Sequence, residues 1–202
     1  MKHLFLTVCL LASVPRAFAM SEKKEAEIGK KMYDDILAKM RTYDNPKVVE
    51  YVRRIGESLA ANSDRPDIDY TFTVLDSPDI NAFATPGGYI YVNRGLLAYL
   101  DSEAELAGVL AHEIAHVTER HASRQDWMGK GSSVASAVVG ILAAISTGSG
   151  AVGGVTQDAA NMAGTAMVRG YGRDMELEAD SEGARFMHKT GYDPQADRKS
   201  VV

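Results

Sequence analysis

Between Glu103 and Ala122 the chain reads EAELAGVLAHEIAHVTERHA. Leu106, Val109, Leu110, Ile114 and Val117 recur at the spacing of one helical face, and Ser102 with Glu105 forms a capping box at its start. The pattern predicts a helix over about 103–122. That helix also carries His112, Glu113, His116 and His121. Imidazoles and a carboxylate beside a buried face need partners, because an unpaired buried polar group costs free energy. This demand constrains everything the rest of the chain can build around the helix.

Residues four apart on a helix share a face. His112 and His116 therefore point the same way and can share one cation, with Glu113 one step round, beside that cation. This is the H-E-x-x-H arrangement of a zinc peptidase, two ligands and a general base. The competing reading is the polar face of an ordinary surface helix. Ile114 and Val117 argue against it, since they run the apolar pattern through the motif.

A catalytic zinc takes three protein ligands and keeps one position for water. His121 lies nine residues after His112, whereas the metzincin pattern needs its third histidine ten residues on, after a turning glycine. No glycine interrupts VTER, so the helix is expected to continue and to aim His121 away from His116, as a histidine in the layer behind the ligands or on the surface. Glu176 in MELEAD is the better candidate. It shares a helix face with Asp180, which can orient a ligand histidine. Glu178 lies on the other side of that helix and is expected to face solvent.

The opening MKHLFLTVCLLASVPRAFA has a basic start, a short apolar run and an A-x-A end, the pattern of a signal peptide over residues 1–19. The single cysteine, Cys9, falls inside it, so the exported chain is expected to rely on its core or a metal rather than on cystines. The domain is assigned to 20–196. The last six residues, 197–202, match a reading frame of sequencing-adapter DNA. They are expected to be a non-native tail on a domain that continues in nature. A net charge of −5 without a long basic run speaks against nucleic acid as a partner.

Ser21 to Met40 reads as an amphipathic helix, with Ile28, Met32, Ile36, Leu37 and Met40 on one stripe. Asn45-Pro46 opens a second, buried through Val48, Val52, Ile55 and Leu59. YTFTVLD (70–76) reads as a strand, and NAFATPGGYIYVN (81–93) as two strands around Pro86-Gly87-Gly88. Together they predict a small antiparallel sheet beside the histidine helix, in a mostly helical α+β domain. A last helix spans about 174–189, stopped by Gly191. Residues 131–157 carry no charge. Their apolar core is short for a membrane span. It reads as a buried or cleft-flanking helix, with peripheral membrane contact as its other use and Gly148, Gly150, Gly153 and Gly154 as hinges.

NAFATPGGYIYVNRGLL, AELAGVLAHEIAHVTERHA, MELEAD and GYDP occur in the order in which HtpX- and BepA-like zinc metallopeptidases carry them. The chain resembles that family, related to the CAAX prenyl proteases, over about residues 22–196. The resemblance implies a gluzincin-like zincin fold and one zinc per chain, on His112, His116 and Glu176. It implies Glu113 as base and Asp180 as support for a ligand histidine. It also implies a cleft strand that binds extended substrate through Asn81, Ala82, Phe83, Ala84, Gly87 and Gly88. The expected activity is a periplasmic metalloendopeptidase acting on unfolded or misassembled envelope proteins. A zinc-stabilised, chaperone-like binding module is the alternative; the presence of Glu113 argues against it. An integral-membrane protease is disfavoured because no 18-residue apolar span follows the leader. The family's later H-P…R segment is absent from this sequence.

Overall fold

The computed structural model describes residues 20–125 and 171–195. The expected leader, the uncharged segment 131–157 and the tail 197–202 lie outside them.

Three of the long helices begin where their cap residues, Ser21, Asn45 and Ser102, predict. In α1 (Glu22–Leu37) the Lys24 amide donates to Ser21 Oγ, and Met32 and Ile36 are buried. In α2 (Pro46–Ala61) Asn45 caps and Pro46 takes the first position, where its missing N–H costs nothing. Val52, Ile55 and Leu59 form its buried stripe, with Val48 half-exposed. Three strands follow, β1 (Thr71–Leu75), β2 (Ala82–Thr85) and β3 (Tyr89–Asn93), then the short α3 (Arg94–Tyr99). The histidine helix α4 runs Glu103–Thr118. Ser102 Oγ accepts from the Glu105 amide, and the Glu105 carboxylate reaches back to the Asp101 amide at 2.7 Å, one residue earlier than in a standard capping box. A single turn, α5 (His121–Gln125), comes next. The last described helix, α6 (Arg173–Thr190), ends at Gly191 with φ of 91°.

The sheet order is β1-β3-β2. The expected all-antiparallel sheet is corrected here: β2 and β3 are antiparallel, but β1 pairs with β3 in parallel, Thr71 opposite Tyr89. The reason lies in the connections. The segment 76–81 stays at one end of the sheet and steps over a gap, so β2 runs opposite to β1. The tight turn at Pro86-Gly87-Gly88, where both glycines have positive φ, then returns β3 into that gap. Burial agrees, for β1 hides Phe72, Thr73, Val74 and Leu75 instead of presenting one wet face.

Both sheet faces are covered. Phe72, Val74, Ile90 and Val92 pack toward α2 and α4, in a core that also takes Leu106, Leu110, Ile114, Ala179 and Phe186. Leu75, Phe83 and Tyr91 pack on the other side against Met32 and Ile36 of α1. β2 is an edge strand that lies against α4. Helix α6 packs closely along α4 at Gly183. A Cβ there would sit 3.1 Å from the His112 amide nitrogen and 3.3 Å from the Ala111 carbonyl oxygen. The absence of a side chain at Gly183 sets how near α6 comes to the histidines.

Candidate metal centre

The α4–α6 contact puts His112, His116 and Glu176 at one point, with donor atoms within 4.8 Å of one another. The two imidazoles face each other, Nε2 to Nε2, at 2.9 Å. The Glu176 carboxylate lies 3.5 Å from His112 Nε2 and 3.9 Å from His116 Nε2. Donor atoms 2.0–2.1 Å from a tetrahedral zinc sit about 3.3 Å apart, and these separations bracket that figure. Two nitrogens and a carboxylate oxygen are also the donor set that zinc accepts, so the residues fit the ion.

The remaining ring nitrogens are engaged. His112 Nδ1 is 2.8 Å from Asp180 Oδ1. His116 Nδ1 is 2.7 Å from His121 Nδ1, and His121 Nε2 is 3.1 Å from Glu178 Oε2. Arg124 donates to the same Glu178 oxygen at 2.6 Å. Tyr171 stacks on the His116 ring, centroids 4.3 Å apart.

Proton placement follows. The carboxylates of Asp180 and Glu178 accept, so His112 Nδ1 and His121 Nε2 carry hydrogens. A neutral His121 then presents a bare Nδ1, and His116 must donate to it from Nδ1. His116 Nε2 is left as a lone pair aimed at the shared point. Burial, with His112 and His121 adjacent, holds the His116 pKa down to about 2, which keeps the ring neutral. For His112 burial acts to lower the pKa, but the hydrogen bonds to Asp180 and Glu176, and the charge of Glu113, outweigh it and push it up to about 10. Without a metal, the Nε2 proton of His112 fills the space between His116 and Glu176.

Glu113 is half-buried beside His112. Burial pushes its carboxyl up to about 7; neighbouring His112 opposes the shift, Glu176 adds to it, and a hydrogen bond from the Ala84 backbone opposes it again. A carboxyl near neutrality is suited to taking and giving a proton.

The bond from Ala84 ties Glu113 to the edge strand. The Asn81 carbonyl accepts from the Asn93 amide, so by the twofold period of a strand the backbone groups of Asn81 and Phe83 face β3. Those of Ala82 and Ala84 face outward. The Phe83 ring stacks on Tyr91 at 4.6 Å, on the α1 side of the sheet. Gly88 is enclosed by Ile68, Asp69 and Tyr70, and its carbonyl pairs with Thr71 of β1. Gly87 lies against α1 and borders a cavity of about 260 Å³ between β2 and His116. Ala84, Thr85 and Tyr171 also line it, with Arg65, Glu25 and Arg120 on its charged side.

Two residues near the centre stand where the sequence reading did not put them. The expected continuous helix through 122 breaks, because α4 ends at Thr118 and Arg120 takes a left-handed φ of 57°. That conformation costs a residue with a Cβ roughly 1–2 kcal/mol. Here it is held by the Arg120 guanidinium on Glu25, 3.1 Å away, and on the Met20 carbonyl. The reversal swings His121 back onto His116, where it is fully buried behind that ring and not on the surface. Glu178, expected in solvent, meets His121 there. The bonds of Arg120 to Glu25 and of Glu178 to His121 cross between helices far apart in sequence, so no local spacing announced them.

A second acidic group, Asp64, Glu119 and Glu182, also lies close together. Arg185 bridges Asp64 and Glu182, and Lys189 approaches Asp64 at 3.8 Å, so cations already sit among these acids.

A family model described as Peptidase family M48 matches residues 46–201. The chain is 35% identical over 157 residues to a protein of Vibrio cholerae named putative beta-barrel assembly-enhancing protease, covering 76% of this chain and 32% of the relative. It is 29% identical over 163 residues to the beta-barrel assembly-enhancing protease of Escherichia coli, covering 76% and 32%. It is 32% identical over 146 residues to the mitochondrial metalloendopeptidase OMA1 of Schizosaccharomyces pombe, covering 72% and 41%. The chain thus spans about a third of the length of the beta-barrel assembly-enhancing relatives it matches.

Proposed function

The chain belongs to peptidase family M48, and from that premise we propose that it is a zinc-dependent metalloendopeptidase of gluzincin-like fold. Its substrates are unfolded or misassembled proteins of the cell envelope, met in the periplasm after removal of a signal peptide. The observation that carries this reading is the meeting of His112 Nε2, His116 Nε2 and the Glu176 carboxylate beside a half-buried Glu113. A purely structural metal site needs no such base. Among the described residues no helix is long and apolar enough to cross a membrane.

Zinc bound by His112, His116 and Glu176 supplies a Lewis acid that lowers the pKa of a water and polarises a scissile carbonyl. Asp180 holds His112 by its Nδ1 hydrogen. Glu113 takes the proton of the attacking water and hands it to the leaving amine. The outward backbone groups of Ala82 and Ala84 offer an extended peptide an added-strand contact. That contact reads backbone rather than sequence, which suits unfolded clients. Of the other strand and turn residues, Asn81, Phe83 and Gly88 keep β2 and its turn in place, and Gly87 borders the cavity into which a substrate side chain can project.

The test is cleavage of a reduced, alkylated reporter protein by the purified chain. Activity should vanish with 1,10-phenanthroline and return with one equivalent of zinc. Cleavage indifferent to the chelator, or none by a folded chain loaded with zinc, would sink the proposal.

The proton held by His112 gives a second measurable consequence. Its ring stays protonated up to pH of about 10 in the metal-free chain, and zinc uptake must expel that proton. Affinity therefore rises with pH, by about tenfold per unit between pH 8 and 9, where Glu113 is already ionised, and falls toward acid. Calorimetry at pH 8 to 9 in buffers of different ionisation enthalpy should read release of about one proton per zinc. No release would mean that the ring is already neutral.

A further inference from the structure

Asp180 orients His112 directly, but no carboxylate touches the Nδ1 of His116. An imidazole stands in between. The geometry points to His121 and Glu178 as positioning residues, a relay that holds the His116 ring in the tautomer and rotation able to bind a metal. This rests on the reading of His112, His116 and Glu176 as ligands.

The relay runs Arg124, Glu178, His121, His116, each link a hydrogen bond of 2.6–3.1 Å. Direction is imposed from the outer end. An ionised carboxylate can only accept, so Glu178 fixes the hydrogen of a neutral His121 on Nε2. His121 Nδ1 is then an acceptor, and it draws the hydrogen of His116 onto Nδ1. The free electron pair of His116 is thereby fixed on Nε2, facing His112 and Glu176. Neither nitrogen of His121 is left for a metal, so His121 does not compete as a third ligand.

Burial makes the arrangement consequential. His121 is 0% exposed and His116 is 5% exposed, so water cannot replace a lost link cheaply. The Arg120 reversal is what delivers His121 to this place, and Arg124, one turn further on in α5, anchors Glu178. The break between α4 and α5 therefore serves the metal site.

The experiment measures zinc affinity of the full chain by competition with a chromogenic chelator, together with the visible spectrum of the cobalt-substituted protein. His121→Phe keeps a ring but removes both hydrogen bonds. It should weaken zinc binding by about 10- to 100-fold, the usual effect of losing a partner behind a ligand histidine, and alter the cobalt bands. His121→Asn restores an acceptor near the position of Nδ1 and should recover affinity and spectrum to within about threefold of the parent. Glu178→Ala, at a partly exposed position, should weaken binding by about tenfold without unfolding the chain. It decides the matter if His121→Phe does not fold. Parent-level affinity in folded His121→Phe or in Glu178→Ala overturns the inference, as does a His121→Asn chain as weak as His121→Phe. A folded parent that takes up no zinc overturns the ligand reading itself, and the relay with it.

Discussion

Glu113→Gln should still take up one zinc per chain and should cleave an unfolded reporter at least about a hundredfold more slowly. Glu113 is not among the three groups that converge for a metal, so the substitution leaves those donors intact. It removes the only function an amide cannot supply, acceptance of the proton from attacking water. Positioned acids and bases contribute on the order of 10²- to 10⁴-fold, and the loss should appear mainly in kcat rather than KM. The raised pKa makes a companion expectation. Because burial holds the carboxyl near 7 in the metal-free chain, and a bound cation would favour its charged form, the ascending limb of the rate profile should lie at or below that value. Cleavage by Glu113→Gln at the parent rate would show that another group takes the proton.

Glu176→Ala produces the second large effect, on metal rather than on turnover alone. The substitution leaves two nitrogens 2.9 Å apart and no anionic donor at the shared point. Losing a partner behind a ligand costs about 10- to 100-fold in affinity, so loss of the ligand itself should cost on the order of a hundredfold or more. Elemental analysis after dialysis against a weak chelator would read it directly. Zinc retained at the parent level would mean that a different group completes the set. His121 is not available for that without breaking its bonds to His116 and Glu178.

The local half of this fold was readable in advance. Ser21, Asn45-Pro46 and Ser102 mark helix starts because a cap is a short-range hydrogen bond between neighbours in sequence. The turn at Pro86-Gly87-Gly88 is local for the same reason. Proximity of His112 to His116 follows from one helical turn, and that of Glu176 to Asp180 from another. Parallel pairing of β1 with β3 depends on which gap the chain leaves open between 76 and 81, which strand periodicity does not encode. The left-handed Arg120 is stabilised by Glu25, from a helix far away in sequence, so the helical pattern ran past it. Helical spacing points Glu178 away from Asp180, but α5 lies on that side and supplies His121 and Arg124 as its partners, which the spacing within one helix does not encode.

The two halves of the centre are far apart along the chain, His112 and His116 on α4, Glu176 and Asp180 on α6. A polypeptide that emerges from its amino terminus presents the histidines and Glu113 first, while the acidic residues of α6 are still to come. With two donors the growing chain holds a metal weakly, and Glu113 has nothing to act upon. Catalytic competence on this plan is thus acquired late, on docking of α6 against the bare backbone of Gly183. On the proposed function, an enzyme that binds unfolded backbone would itself be unfolded during its synthesis. Delayed assembly of the centre would then spare nascent copies from one another.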